Sequence, residues 1–393
     1  MDFAFSPEER AFHKELRSFL EREVPGWYPG IFVLDHADYE RAWEFSLAFA
    51  KRLAGKGWLV RNWPQDYGGA GASIWEQVLF SEEMVYFEEP RGANYMGPNW
   101  VGPTIMKFGT PEQKAEHLPR IASAEVIWCQ GFSEPGAGSD LAAVETRARQ
   151  DGDDFIVDGQ KIWTSYADHA DWCILVVRTD PDAPKHKGLS YLLVDMRSQG
   201  VTVRPIPSLF GDHFCQVFYD HVRVPRRNLL GEKNGAWQMM MASLGYERAG
   251  VPFYMEARRR LEQLADALKQ QRRHLDPAVA ANLSLRLAEQ AVEVETAKWL
   301  TRRAYWLIAR DLPADAAASQ AKMFKSEVYQ RTANAALQGW GLLGQLERGD
   351  RRAPLDGRFL RMFYWCLEGT VAGGTSEIQR NIVAQRGLGL PRG

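Results

Sequence analysis

The sequence predicts an α+β protein of three domains, in which helices come first, strands follow and helices return. Two observations support this prediction. Apolar residues repeat at helical spacing before residue 125 and after residue 235, whereas short strand-length runs bounded by glycine or proline lie between them. At 393 residues, the chain also exceeds what one hydrophobic core usually serves. We therefore expect an N-terminal helical domain over 1–125, a β domain over 126–235 and a C-terminal four-helix bundle over 236–393.

The N-terminal domain begins with a helix-start signal. Residues 6–9 are Ser-Pro-Glu-Glu, the order of an N-cap, a first-turn proline and first-turn acids. Apolar side chains then recur at helical spacing, namely Phe12, Leu16, Phe19 and Leu20. Further helices are expected over 43–53 and 74–86, and a short one after Thr110.

The middle domain has the pattern of several short strands. Asp151-Gly-Asp-Asp154 separates two strand-like runs and predicts a hairpin turn. Residues 171–178 form a nearly continuous apolar run that suits a buried strand. Three more strands are expected, over 191–194, 201–206 and 217–224. This pattern favours a barrel or sandwich with antiparallel pairing.

The last part of the chain is expected to form the bundle. Residues 278–310 and 316–337 carry long stretches of 3.6-residue apolar periodicity. Long helices joined by short connections usually pack as antiparallel neighbours.

Composition excludes several classes of protein. The chain has 48 basic and 50 acidic side chains, so nucleic acid or an anionic membrane is not expected as the main partner. Its 4 cysteines form no C-x-x-C pair and its 8 histidines no H-E-x-x-H, so no metal site is expected. The start is acidic where a signal peptide would be basic, and no run approaches the roughly 18 apolar residues of a membrane span. We expect a cytoplasmic protein.

Three common catalytic or phosphate-binding signatures are missing. The fingerprint G-x-G-x-x-G fails at Gly136, where leucine stands at the last position. No G-x-x-x-x-G-K-[ST] and no G-x-S-x-G occurs. A nicotinamide-binding Rossmann domain, a P-loop and a hydrolase nucleophile elbow are therefore disfavoured.

Two segments of the middle domain could bind a cofactor. Residues 129–140 turn through two glycines and expose backbone amides with the hydroxyls of Ser133 and Ser139, although a plain glycine turn has the same composition. Residues 158–165 carry Trp163 beside two hydroxyls, where it could stack on a flat cofactor or fill the core.

Together, these motifs resemble those of the acyl-CoA dehydrogenase family. E-P-G-A-G-S-D at 134–140 is followed by D-G-Q-K-I-W-T-S at 158–165, and residues 222–231 are similar to the family's link to its C-terminal helices. The segment A-G-G-T-S-E-I-Q-R-N-I-V at 372–383 is similar to the family's closing segment. The resemblance covers nearly the whole chain and implies an acyl-CoA dehydrogenase-like fold.

The resemblance implies FAD as the cofactor. It assigns contacts along the flavin to Phe132, Ser133, Gly138, Ser139, Trp163, Thr164 and Ser165, with the Ser165 hydroxyl near flavin N5. Gln338 and Gly341 would meet the cofactor of a neighbouring subunit, and Thr375 and Glu377 would lie beside the dinucleotide. The family's R-x-x-F-G stretch is not visible, and no role is assigned to the nearby Arg272 and Arg273.

The family's chemistry requires a base that removes the α-proton of an acyl thioester. Many members carry it in an E-G-T triplet, which is Gly373-Gly374-Thr375 here. Glu368, in a second E-G-T five residues earlier, is interpreted as a helix-end residue. The resemblance to members with an E-R dipeptide in the first long helix after the β domain assigns the base to Glu247. Three residues are expected to contact substrate, namely Ser139, Arg248 and Gly373. The Gly373 N–H would be directed to the thioester oxygen.

The implied function is α,β-desaturation of an acyl-CoA thioester with electrons passed to an electron-transferring flavoprotein. The A-G-G-T closing variant resembles bacterial members that act on branched or steroid side-chain acyl-CoAs, in fatty acid β-oxidation or steroid catabolism. A homotetramer or an α2β2 heterotetramer with a sister subunit is expected. Two alternatives remain, namely a non-catalytic or FAD-sharing subunit of a heteromer and a same-fold flavin oxidase or monooxygenase.

Overall fold

The chain forms two compact units in the computed structural model, which describes residues 4–30, 39–209, 213–241, 252–271 and 276–391. The first, here called the helical unit, comprises Met1–Leu34, Ser73–Glu89 and Arg248–Gly393. The second, here called the β unit, comprises Asp35–Ala72 and Pro90–Glu247. The domain boundaries expected at 125 and 235 stay a prediction.

Five α-helices precede the first strand in the described part of the chain. They are α1 Pro7–Glu23, α2 Tyr39–Gly55, α3 Ile74–Tyr86, α4 Gly102–Phe108 and α5 Pro111–Ala122. In α1, the Ser6 hydroxyl accepts a hydrogen bond from the Glu9 amide at 3.1 Å, and the Glu9 carboxylate accepts one from the Ser6 amide at 2.9 Å. This capping box satisfies two backbone donors at the helix start. The predicted start of α1 and its buried apolar face are confirmed.

An eight-stranded sheet forms the core of the β unit. Its strands are β1 Trp128–Gly131, β2 Arg147–Asp151, β3 Asp154–Ser165, β4 Trp172–Arg178, β5 Leu189–Asp195, β6 Val201–Pro207, β7 His213–Pro225 and β8 Leu229–Leu230. The strand order is β6-β7-β3-β2-β4-β5-β8, and β1 pairs with β4 off this path. The hairpin predicted at residues 151–154 is confirmed, because β2 and β3 pair in antiparallel register around it.

Two strand pairs differ from the antiparallel prediction. β1 and β2 each pair with β4 in parallel. A parallel neighbour requires a long excursion of the chain before it returns in the same direction, and here the β2–β3 hairpin lies within the excursion from β1 to β4. Strand length and turn residues do not indicate which strands pair after such an excursion. The sequence therefore predicted the strands but not the parallel pairing with β4.

The remaining helices follow the sheet. Helix α6 is described over residues 236–241. The others are α7 Phe253–Gln271, α8 Pro277–Ile308, α9 Asp315–Trp340, α10 Arg358–Gly369 and α11 Ser376–Ile382. Helices α7 to α10 share one apolar core, in which Leu264, Leu287, Ala336 and Phe359 pack together. The predicted bundle is therefore confirmed. None of the described helices combines the length and apolar character of a membrane span.

Candidate functional site

The loop over residues 132–139, here called the 132–139 loop, follows directly on β1. The amides of Glu134 and Ala137 donate to each other's carbonyl oxygens at 3.0 Å, which closes a tight turn. Gly136 and Gly138 are exposed, and a Cβ atom at either position would meet nothing within 4 Å. Ser139 is exposed as well. The turn thus presents backbone groups and a hydroxyl to open space, as a ligand with hydrogen-bonding edges requires.

The start of this loop is tied to two strands. The ring of Phe132 packs 5.8 Å from the ring of Tyr191 in β5. The carbonyl of Ser133 accepts a hydrogen bond of 2.9 Å from the amide of Ile162 in β3. Both predicted residues are half-buried. The contacts bring the loop beside the end of β3, where the second predicted motif lies.

A buried ion pair joins the 132–139 loop to β3. Lys161 is 0% exposed and Glu134 is 8% exposed. The Lys161 Nζ donates to Glu134 Oε1 at 2.7 Å and to the Phe132 carbonyl at 3.0 Å. The Glu134 carboxylate also accepts hydrogen bonds from the amides of Glu145 and Thr146, at 2.6 and 3.0 Å. One pair of charges therefore connects the loop, β3 and the segment that leads into β2.

The two partners shift each other's pKa toward the charged forms. Burial lowers the pKa of Lys161 to about 8, although the attraction of Glu134 opposes that effect. Burial would raise the pKa of Glu134, but the Lys161 ammonium and the hydrogen bonds from Glu145 and Thr146 outweigh it and hold the pKa below its usual value. At neutral pH the pair is therefore charged on both sides.

Trp163 presents an unusually exposed aromatic surface at the end of β3. It is 57% exposed, although most large apolar side chains of the sheet are buried. Its φ is +60°, a left-handed conformation that a bulky residue seldom adopts. The Phe214 ring of β7 packs edge-on against it, with ring centroids 5.7 Å apart. The core interpretation of Trp163 is thus disfavoured, and its ring is available to stack on a planar ligand.

The two residues after Trp163 differ in burial. Ser165 is half-buried, whereas Thr164 is 1% exposed and its hydroxyl has no hydrogen-bond partner among the described residues. The register of β3 with β7 shifts between Lys161 and Thr164, so the regular alternation of side chains does not run through Trp163. Because the Thr164 side chain is buried, a contact between Thr164 and a ligand at Trp163 would have to use its backbone.

In the helical unit, two side chains hold the segment over residues 370–375, here called the closing loop. Gly373 and Gly374 have φ of +65° and +91°. The buried Gln379 donates through Nε2 to both of their carbonyl oxygens, each at 3.0 Å. Lys322 of α9, 4% exposed, donates to the Gly374 carbonyl at 2.7 Å. Because a Cβ at position 374 would approach Gln379 Nε2 to 2.7 Å, only glycine fits there without rearrangement.

The other predicted contact residues of the helical unit lie on its surface or at helix ends. Thr375 caps α11, and its hydroxyl accepts from the Ile378 amide at 3.2 Å. Glu377 is exposed, and hydrogen bonds from its own amide and from Thr375 lower its pKa. Gln338, in the last turn of α9, is exposed and accepts a hydrogen bond from Arg286. Gly341 follows with φ of +54°, and a Cβ atom at this position would meet nothing within 4 Å.

The predicted base and its neighbour, Glu247 and Arg248, lie outside the described residues, as do Arg272 and Arg273. The described part of α6 ends at residue 241, and its Met240 is buried. The competing carboxylate, Glu368, is half-buried in the last turn of α10. That position agrees with its interpretation as a helix-end residue.

Sequence reasoning missed the four side chains that fix the two loops. Glu134 and Lys161 lie inside the motifs at 134–140 and 158–165. A lysine next to the apolar residues of a strand could have indicated a buried partner of opposite charge. Lys322 and Gln379 gave no comparable signal. The contact of Lys322 depends on tertiary structure, since Lys322 and Gly374 are 52 positions apart, whereas Gln379 bonds carbonyls only five and six positions away.

Family sequence profiles match almost the whole chain. The acyl-CoA dehydrogenase N-terminal domain matches residues 6–125, the middle domain residues 129–222 and the C-terminal domain residues 234–388. In Mycobacterium tuberculosis, acyl-CoA dehydrogenase IpdE1 is 34% identical, with 97% of each chain covered. Acyl-CoA dehydrogenase FadE26 of the same organism is 33% identical over 100% of this chain and 99% of its own.

Solved structures agree with these relatives. The ChsE4-ChsE5 complex from Mycobacterium tuberculosis superposes with a TM-score of 0.89 at 32% identity, with 100% of both chains covered. The Tcur3481-Tcur3483 steroid ACAD gives a TM-score of 0.88 at 31% identity, again with 100% of both chains covered. Enzymes of this kind are flavin-dependent oxidoreductases. The profiles, the full-length relatives and the shared fold together show that the chain belongs to the acyl-CoA dehydrogenase family.

Proposed function

We propose that the chain binds FAD and desaturates an acyl-CoA thioester between its α and β carbons. The observation that carries the proposal is the arrangement at one end of β3, where an exposed tryptophan adjoins a loop of open backbone amides and hydroxyls. An isoalloxazine ring offers a flat aromatic surface and hydrogen-bonding edges, so these groups fit it. When bound, FAD supplies an acceptor at N5 for the hydride that leaves the β carbon.

The residues of the β unit would bind and orient that ring. Trp163 supplies an aromatic face, and Ser165, two residues further along the strand, supplies a hydroxyl for the N5 region. Ser133, Gly138 and Ser139 of the 132–139 loop would meet the ring's hydrogen-bonding edge, and Phe132 would complete the apolar lining. Thr164 would contribute its backbone.

The closing loop would act on the thioester. Negative charge develops on the thioester oxygen as the α-proton leaves, so a fixed N–H donor there stabilises the transition state. We assign that donor to Gly373, whose loop is held by Gln379 and Lys322. The same position carries no side chain, which leaves room for a bulky acyl group.

We assign the general base to Glu247. A carboxylate can take an α-proton if burial raises its pKa toward neutrality. The closing loop carries glycine where many family members carry glutamate, so the base has to come from another element. Arg248 would assist with substrate contact.

We propose a branched or steroid side-chain acyl-CoA as the substrate class. Support comes from the glycine at position 373 and from the similarity to a structure described as a steroid ACAD. Electrons would pass to an electron-transferring flavoprotein.

We also propose that the chain works as a homotetramer or as an α2β2 heterotetramer. Two similar structures are described as pairs of differently named chains, ChsE4-ChsE5 and Tcur3481-Tcur3483. In addition, α8 carries Leu285, Val292 and Trp299 at seven-residue spacing, 63%, 68% and 44% exposed in the isolated chain. Exposed apolar side chains aligned along one helix in this way are typical of association surfaces.

The test is to purify the chain, measure its flavin content and screen acyl-CoA thioesters anaerobically for bleaching of the flavin absorbance. The proposal predicts one FAD per active site and bleaching by at least one branched or steroid side-chain thioester. A folded protein that neither contains nor takes up FAD, alone or with a sister chain, would contradict it.

A further inference from the structure

The ion pair of Lys161 and Glu134 is an unexpected feature of the β unit. Removing two charges from water is costly, and well-packed apolar residues in their place are often neutral or stabilising. Lys161 nevertheless lies fully buried in β3, with its Cγ 3.4 Å from where a Cβ on Gly131 would stand. Stability alone is thus a weak reason for this pair, and the contacts of the two side chains suggest another.

Those contacts converge on the 132–139 loop. The Lys161 Nζ bonds the carbonyl of Phe132 at 3.0 Å, the first residue of the loop. The Glu134 side chain, itself in the loop, bonds the amides of Glu145 and Thr146 as well as Lys161. Lys161 stands two residues before Trp163. The pair therefore fixes the loop relative to the strand end that carries Trp163 and Ser165.

We propose that Lys161 and Glu134 are positioning residues that hold the 132–139 loop and the Trp163–Ser165 strand end in one geometry, and thereby set the affinity and environment of the bound flavin. This inference rests on the proposed function, because it assumes that the flavin lies between these segments. Neither side chain needs to touch the flavin. Their hydrogen bonds restrict the loop before binding, so less ordering is required when the ligand arrives.

A matched buried ion pair in the helical unit provides the control. Arg302 of α8 and Glu82 of α3 are 7% and 5% exposed, and their N–O distance is 2.9 Å. Neither is assigned a contact with cofactor or substrate. Loss of either pair is expected to affect folding stability, but only loss of the Lys161 pair should affect the flavin.

The experiment compares Glu134→Gln and the double variant Lys161→Met/Glu134→Met with Glu82→Gln and Arg302→Met/Glu82→Met. For each apoprotein, thermal stability and the Kd for added FAD are measured separately. The absorbance band shape and fluorescence of the bound flavin are recorded as well. The double variants remove both charges, so that neither leaves an unpaired buried ion that would dominate folding.

We expect the Kd for FAD to rise at least about tenfold in both Glu134 variants, on the scale of the lost ordering of a few loop groups. The flavin spectrum should shift as well, while the Glu82 variants keep wild-type affinity and spectrum at comparable thermal stability. Wild-type FAD affinity and an unchanged spectrum in the double variant Lys161→Met/Glu134→Met would overturn the inference. Equal losses in both sets would overturn it too, since the effect would then be one of general stability. Failure of wild-type protein to bind FAD would instead contradict the proposed function.

Discussion

The 132–139 loop of the β unit and the closing loop of the helical unit are held by different kinds of contact. The first is fixed by two opposite charges, Lys161 and Glu134, that are buried together. The second is fixed by donors to backbone carbonyls, from Gln379 and Lys322, and by two glycines at positive φ. The difference lies in what happens when one partner is removed. In the first loop a buried charge loses its counter-ion, whereas in the second a carbonyl loses one donor.

This difference matches the two tasks proposed for the loops. A loop that binds a large cofactor benefits from a rigid, preorganised shape. A loop that offers one N–H to a thioester oxygen requires correct direction at a single point. The closing loop also supplies no carboxylate, so acid–base chemistry is assigned to another element.

The largest effect is expected at Glu247, which is proposed to supply the carboxylate that the closing loop lacks. Glu247→Gln keeps the shape of the side chain but cannot accept a proton, so flavin reduction by the substrate thioester should slow by at least about 10²-fold. Stopped-flow absorbance under anaerobic conditions measures it. Glu368→Gln is the matched control and should leave the rate nearly unchanged. The reverse pattern would show that the base is supplied next to the closing loop, and the contrast between the loops would fail.

A direct comparison of the two loops uses their lysines. Lys161→Met leaves Glu134 buried without its counter-ion and should lower the free energy of unfolding of the apoprotein by about 3–5 kcal/mol. Lys322→Met removes a charge-assisted hydrogen bond to Gly374 and should cost less, about 1.5–3 kcal/mol. Urea denaturation of both variants measures the difference. Equal costs, or a larger cost for Lys322→Met, would refute the distinction between the loops.

Loosening the closing loop should affect the reaction more than cofactor binding. Gln379→Leu removes the donor to the Gly373 and Gly374 carbonyls. The free energy of one such hydrogen bond corresponds to roughly a tenfold change in a rate, so flavin reduction should slow by about that factor. FAD affinity should stay within error of wild type. Parallel measurement of the reduction rate and of the FAD Kd tests this split. A variant that loses FAD affinity and keeps its rate would reverse the proposed roles.

Removing the exposed tryptophan of the β unit should have a smaller effect, which concerns FAD affinity. Trp163→Ala removes an aromatic face worth about 1 kcal/mol, so the Kd for FAD should rise about fivefold. Titration of the apoprotein with FAD measures the change. An unchanged Kd would mean that Trp163 is not in contact with the flavin.

The last expected effect is a dependence of stability on pH that comes from Lys161 and is restricted to alkaline pH. Its pKa is about 8 in the folded chain and 10.5 ordinarily, so the unfolded chain binds more protons between these values. The free energy of unfolding should therefore increase as pH rises from about 8 toward 10.5. Glu134, Cys173 and Arg178 face Lys161, and Lys161→Met separates its titration from theirs. Identical pH profiles in that variant and in wild type would contradict the assignment.

Local patterns predicted much of the fold, and long-range contacts account for what was missed. The capping box at Ser6 and the hairpin at residues 151–154 each depend on a few adjacent residues, so the sequence carries them. The parallel pairing of β1 with β4 and the contact of Lys161 with Glu134, 27 positions apart, depend on how the chain returns on itself. The burial of the Thr164 side chain could not be predicted for a different reason. The register with β7 shifts between Lys161 and Thr164, and motif similarity does not report whether a side chain is buried.

Product analysis after a single anaerobic turnover tests directly whether the chain desaturates an acyl-CoA thioester with FAD as the acceptor. The purified, FAD-loaded chain, with its sister subunit if one is required, is mixed with a branched or steroid side-chain acyl-CoA in the absence of any electron acceptor. Flavin absorbance and the thioester products are then quantified together. An acyl-CoA dehydrogenase should form one α,β-unsaturated thioester for each flavin reduced. Reduced flavin without a new double bond, or a flavin that no acyl thioester reduces, would contradict it.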